Sequence, residues 1–156
     1  MKKLLKELDA CFPAIEWAAD KSWEEIYSTC HRGDWLLWLF KKVNPTDKRL
    51  LTLAKAHCVN TVCHLMKDER SLNAIKVAID YGNNLATDEE LNAAYADAYA
   101  AYAAAADAAD AAADYAAYAD AYAAYAADYA AARTKNQKET ADICRKYLPI
   151  EIWNIK

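Results

Sequence analysis

Thr87-Asp88-Glu89-Glu90-Leu91-Asn92, followed over residues 93–132 by AAYADAYAAYAAAADAADAAADYAAYADAYAAYAADYAAA, is the stretch on which the fold turns. Residues 93–132 hold 26 Ala, eight Tyr and six Asp, and nothing else. Ala is the strongest helix former because it loses no side-chain entropy in the helix. Thr87 with Glu90 three residues later is a capping box, each side chain placed to satisfy a backbone N–H of the first turn. Tyr95, Tyr99 and Tyr102 are spaced for one helical face, and so are Tyr115, Tyr118, Tyr122, Tyr125 and Tyr129. At roughly 100° per residue the second stripe lies nearly opposite the first. Asp107, Asp110 and Asp114 fall between the stripes at i, i+3 and i+7 and form a face of their own.

A single helix over 88–133 would be about 70 Å long, whereas a globule of this chain length is about 40 Å across. A break near 104–113 and a helical hairpin are therefore expected, although no Gly, Pro or Asn marks a turn there. A straight helix that meets different neighbours on its two faces is the alternative.

Outward from the tract, helical signals continue. The 156 residues contain two Gly and three Pro, never adjacent, so the turn dipeptides of sheet-rich folds are missing. Leu4, Leu5, Leu8 and Cys11 mark a first amphipathic helix, and Pro13 ends it or opens the next turn. Ser22-Trp23-Glu24-Glu25 is another capping box. Asp34 is placed to cap the apolar run Trp35 to Phe40, which is central to the expected core. Thr46 is the expected cap of a helix whose inward stripe is Leu51, Ala54, Cys58 and Leu65. Asp68 caps the next, with Leu72, Ile75 and Ile79 inward and Gly82 at its end. A last helix runs to about Tyr147, Pro149 stops it, and the apolar tail from Ile150 folds back. The fold class is all-α: a compact multi-helix bundle, one domain over 1–156, with a Trp-rich part (1–86), the Ala/Tyr/Asp-rich long helix or hairpin (87–134), and a closing helix and tail (135–156).

The net charge is -4, with six Asp and no base over 91–132 and six bases against three acids over 133–156. Neither block is dense enough for a phosphate-tracking stripe, so nucleic acid is not an expected partner. No charge-free apolar run approaches the roughly 20 residues that cross a bilayer. Five Cys, with no secretory leader in front of them, read as reduced thiols of a cytoplasmic protein.

Three stretches carry a resemblance: Cys30-His31-Arg32-Gly33-Asp34-Trp35-Leu36-Leu37-Trp38-Leu39, the Ala/Tyr tract, and Ala141-Asp142-Ile143-Cys144-Arg145-Lys146-Tyr147-Leu148-Pro149. Together, over roughly 20–150, the chain resembles the immunity-protein-like family of bacteria and their phages. That resemblance implies a cytoplasmic helical protein that binds and neutralises a toxin or another protein. It implies no catalytic residues.

The residues themselves give little chemistry. His57-Cys58 and Cys63-His64 are four metal-capable side chains within eight residues. On one helix, however, His57 and His64 stand about 10 Å apart, too far to share a tetrahedral ion. Core packing is the reading preferred, with no metal and no cofactor. Cys30 and His31 are adjacent and diverge by about 100° on a helix, which disfavours a catalytic dyad. Trp35 and Trp38 read as core rather than as anchors for a partner. The expected function is a non-catalytic protein-binding module, an immunity or anti-defence inhibitor, with Asp107, Asp110, Asp114, Tyr115, Tyr118 and Tyr122 as its partner-binding face. The alternative is a structural protein that assembles with further copies of itself through the Ala/Tyr face.

Overall fold

The computed structural model describes residues 1–61, 63–66, 68–113 and 134–155, without the side chains of Leu65 and of 101–113. In chain order these form α1 (Lys2–Glu7), α2 (Phe12–Trp17), α3 (Trp23–Thr29), α4 (Gly33–Val43), α5 (Lys48–Asn60), a 3₁₀ turn (Cys63–Leu65), α6 (Glu69–Gly82), α7 (Asp88–Ala113), α8 (134–147) and a closing 3₁₀ turn (Ile150–Ile152). The fold is all-α.

Side-chain caps open three of the helices, α3, α6 and α7. Both capping boxes form: the Glu25 N–H donates to Ser22 Oγ at 3.2 Å while the Ser22 N–H donates to the Glu25 carboxylate at 2.8 Å. Thr87 and Glu90 repeat the exchange at 3.2 and 2.8 Å. Asp68 accepts from the Arg70 N–H at 2.9 Å, and the Arg70 guanidinium and this N–H together hold the Asp68 carboxyl down at about 2. Other starts differ from the sequence reading. The first helix stops at Glu7, because Asp9 takes a left-handed backbone (φ 61°) that turns the chain before Cys11 opens α2. Asp47, not Thr46, stands at the start of α5, with no side-chain cap. Asp34 does not cap α4: Gly33 is already helical, Arg32 holds the cap position, and Asp34 sits in the first turn.

That early start has a packing cause. A Cβ on Gly33 would lie 2.5 Å from Thr140 Oγ1 and 2.6 Å from the Thr140 carbonyl carbon. Only a glycine lets the first turn of α4 press against the backbone of α8. Around this contact lies the main core, with Leu5, Ala18, Ile26, Cys30, Leu36, Leu39, Phe40, Leu51, Ala54, Cys58, Ala141, Cys144, Leu148 and Trp153 all buried. Trp153 closes it. Its ring meets Trp23 at 4.8 Å and Phe40 edge-on at 5.0 Å, and its indole N–H donates to the Leu148 carbonyl at 2.9 Å. Buried Asn44 donates to the Ile152 carbonyl at 2.7 Å, fixing the tail to the end of α4.

α5 is two-faced. Leu51, Ala54 and Cys58 enter the main core, as the sequence stripe predicts, while Ala56 joins Ala78, Tyr81 and Leu91 in a smaller cluster with α6 and α7. The Leu65 side chain, expected on that stripe, lies outside the described residues. Gly82 permits the close approach of α6, since a Cβ there would lie 2.5 Å from Leu53 Cβ. On α6 the inward residues are Ala74, Ile75, Ala78 and Tyr81. That face turns Leu72, expected inward, to its edge, where it is 38 % exposed.

α7 runs without interruption through 104–113, so the break expected there is absent. Ala offers nothing to end a helix, and no Gly, Pro or Asn competes with it. Asp97 shares a shallow cleft with Asn73 and Val77, so α7 has reached the N-terminal half of α6 by that point. From Asp97 to Ala113 the helix continues for about 24 Å more.

Replacing Gly33 with Ala is expected to cost about 1–3 kcal/mol, because α4 and α8 must separate to admit the methyl group. Trp153→Ala should cost about 3–5 kcal/mol through lost burial and the cavity left behind. Urea unfolding of the two variants checks both values; a change within 0.5 kcal/mol of wild type, about the spread of neutral surface substitutions, would contradict the packing described.

Candidate functional site

Of the six residues expected to meet a partner, Asp107 and Asp110 lie on the described backbone of α7, three apart and therefore on one face. Asp114, Tyr115, Tyr118 and Tyr122 lie outside the described residues. The described part of α7 does present the first tyrosine stripe. Leu91 and Ala94 are buried, while Tyr95 is 48 % and Tyr99 73 % exposed. The four-residue step from Tyr95 to Tyr99 keeps both rings on one strip of helix, beside the buried one. Lys48 and Asp88 form an ion pair below this strip, and Asp88 also accepts from the Tyr81 hydroxyl at 3.0 Å. The first turn of α7 is thus pinned to α5 and α6, which fixes the direction in which the stripe leaves the body.

A second feature was not legible in the sequence. Where α1 and α2 lean on α4 they leave a cleft of about 470 Å³, within the size range of small-molecule sites. Buried Leu5, Ala18, Ile26, Leu36 and Leu39 make its floor, and Trp17, Trp35 and Trp38 its partly buried walls. Trp35 and Trp38 therefore pack on the core with one side and face this cleft with the other. Trp17 and Trp35 stand 6.0 Å apart, and the Arg32 guanidinium lies over the Trp35 ring at 4.6 Å. Arg32 donates to both oxygens of Asp34, Nε to Oδ1 at 2.8 Å and Nη2 to Oδ2 at 2.6 Å. This pairing holds the Asp34 carboxyl below its ordinary range. The left-handed turn at Asp9 brings exposed Cys11 to the rim. Three separate segments make this cleft, so no local spacing announces it.

The thiols and imidazoles occupy other places. Cys30, Cys58 and Cys144 are buried. Burial pushes the Cys30 thiol up, and the adjacent Cys58 thiol together with burial pushes Cys144 up. Both stay protonated at neutral pH, the unreactive form. Cys144 donates to the Gly33 carbonyl at 3.6 Å and Cys58 to the Thr140 carbonyl at 3.6 Å. His57 stacks flat on Tyr147 with centroids 4.2 Å apart. α5 ends at Asn60, so Cys63 and His64 belong to a separate 3₁₀ turn and not to one helix with His57. Among the described residues, no three of His, Cys, Asp and Glu are placed to hold a metal ion, and no helix is long and apolar enough to cross a membrane.

In comparisons with known proteins, no family model, no curated protein and no solved structure matches the chain.

Two outcomes follow from the ionisation states. Iodoacetamide should modify Cys11 in the native protein and spare Cys30, Cys58 and Cys144 until urea is added, read by peptide mass spectrometry; equal rates at all four would contradict the burial. Burial, and then Lys146, lower the pKa of His57 from its ordinary 6.5. A lowered folded pKa means that the neutral imidazole stabilises the fold. That stabilisation is complete above about pH 6.5 and is lost as pH falls through the lower folded value. Urea midpoints measured downward from pH 7 should fall more steeply in wild type than in His57→Phe. Parallel curves would contradict the assignment.

Proposed function

We propose that the chain is a non-catalytic, cytoplasmic protein-binding module that acts by covering the surface of another protein. The carrying observation is the aromatic strip on α7: Tyr95 and Tyr99 stand in solvent at 48 % and 73 % exposure, on a helix whose other strip is anchored by Leu91 and Ala94. Tyr supplies large contact area with few rotatable bonds and a hydroxyl that tolerates water, and it is enriched where partner binding energy concentrates. The same spacing continues in sequence through Tyr102, and Asp107 and Asp110 follow three apart on the same helix. A partner for this surface carries apolar pockets for the rings and basic groups for the carboxylates. The raised thiol pKa values of Cys30 and Cys144 also favour a binding role over thiolate chemistry. The resemblance of Gly33–Leu39 and of Ala141–Pro149 to immunity-like proteins suggests the class of partner, a toxin or another protein to be neutralised, and the role of an immunity or anti-defence inhibitor.

A photo-crosslinking amino acid placed at Tyr99, with a second version at Lys3 on α1 as control, tests this in lysate of the source cell. The expected result is one discrete product with a different protein from position 99, absent from position 3. No product at 99, or the same products at both positions, would contradict the proposal. A product consisting only of two copies of this chain would move the reading to self-assembly.

A further inference from the structure

The cleft between α1, α2 and α4 has a hydrogen-bonding imbalance that specifies an occupant. Its floor and walls are apolar, with three indoles and the buried side chains of Leu5, Ile26, Leu36 and Leu39. The exceptions are the two thiols, Asp9 at the edge, and the Arg32–Asp34 pair. Asp34 turns both carboxylate oxygens to Arg32, accepting from Nε and Nη2. Each oxygen is thus engaged, and the carboxylate's charge is matched within the pair. Arg32 has donors to spare. A guanidinium carries five N–H donors, and among the described residues only Asp34 accepts from it. Its side chain is only 24 % exposed, flattened on Trp35 and clamped by Asp34. A rotamer held on two sides is already ordered for binding, so little side-chain entropy remains to be lost. Three Arg32 N–H groups, two of them on Nη1, have no acceptor among the described residues, and Arg32 lines this otherwise aromatic cleft.

The geometry points to a binding site for a small aryl or arylalkyl carboxylate, its ring among Trp17, Trp35 and Trp38 and its carboxylate on the free edge of Arg32. A cation of the same shape is disfavoured, because the carboxylate it would seek is already occupied by Arg32. The Asp9 carboxylate is exposed and at the edge, where solvent screens it. Nothing in this site depends on α7, so its failure and the failure of the α7 reading are separate events.

The test uses the full chain with two matched probes, 4-phenylbutanoate and 4-phenylbutylammonium. Two signals report on the cleft: tryptophan fluorescence, and the alkylation rate of Cys11 at its rim relative to Cys63 outside it. 4-Phenylbutanoate is expected to slow Cys11 alkylation and to bind at least about tenfold more tightly than the ammonium probe, the scale of one charge-assisted hydrogen-bonded contact. Arg32→Gln should abolish that preference, and Ala14→Trp, which fills the cleft and leaves Arg32 in place, should abolish binding of both probes. If Arg32→Gln fails to fold, the wild-type probe comparison and Ala14→Trp decide alone. Equal or tighter binding of the ammonium probe would overturn the proposal. So would an unchanged Cys11 rate with the carboxylate, or a preference that survives in a folded Arg32→Gln.

Discussion

Arg145 and Tyr27 hold the two ends of this fold together. α3 ends at Thr29, and like any helix it leaves its last carbonyls without intrahelical donors. Arg145 Nη1, from α8, donates to two carbonyls there, Tyr27 at 3.0 Å and Cys30 at 2.9 Å, and Nη2 is steadied by Asp142 at 2.7 Å. The Tyr27 hydroxyl reciprocates, its one proton shared between the Arg145 and Leu148 carbonyls at 3.0 and 3.2 Å. A cation at the C-terminal end of α3 also meets the negative end of its dipole. Each helix therefore completes the other's backbone hydrogen bonding across more than a hundred residues of chain. Gly33 against Thr140 and the two buried thiols on nearby carbonyls extend the same seam into the core.

Once α8 is fastened, the remaining arrangement follows. The tail crosses the end of α4 and inserts Trp153 among Trp23, Tyr27 and Phe40. α4 is then held along its length, and its first turn positions Arg32 and Asp34 over the cleft. α5, one face in this core, offers the other to α6 and α7. The Tyr-bearing helix is thus mounted on the body through α5 and α6, while the cleft lies where α1 and α2 lean on α4. The two surfaces are built on different parts of the scaffold.

How much of this was legible follows from how local each cause is. The capping boxes at Ser22 and Thr87, the Asp68 cap, the helix end at Gly82 and the stop at Pro149 depend on residues within a few positions of one another, and the sequence reading placed them. The all-α class followed from composition. What failed depended on distant neighbours. Asp34 looked like a cap because the Gly33–Thr140 contact that starts α4 earlier is invisible along the chain. Leu72 has the right spacing for an inward residue, but the seat of α6 on Leu53 rotates its buried face toward Ala74 and Tyr81. The expected break in the alanine tract came from a size argument about globules, and the intrinsic preference of Ala outweighed it through Ala113. The cleft needed Asp9, Trp17 and Arg32 brought together from separate segments, and no single-chain spacing encodes that.

The central claim is that α3, α4 and α8 stand or fall as one unit through the Arg145–Tyr27 and Gly33–Thr140 contacts. Native-state hydrogen exchange resolved by residue tests it most directly. Amides of Leu36 to Phe40 and of Ala141 to Leu148 should open with the same free energy and lose protection together as urea rises. If α8 exchanges early, like a fraying terminus, while α4 keeps its protection, the seam does not hold the fold and the account is wrong.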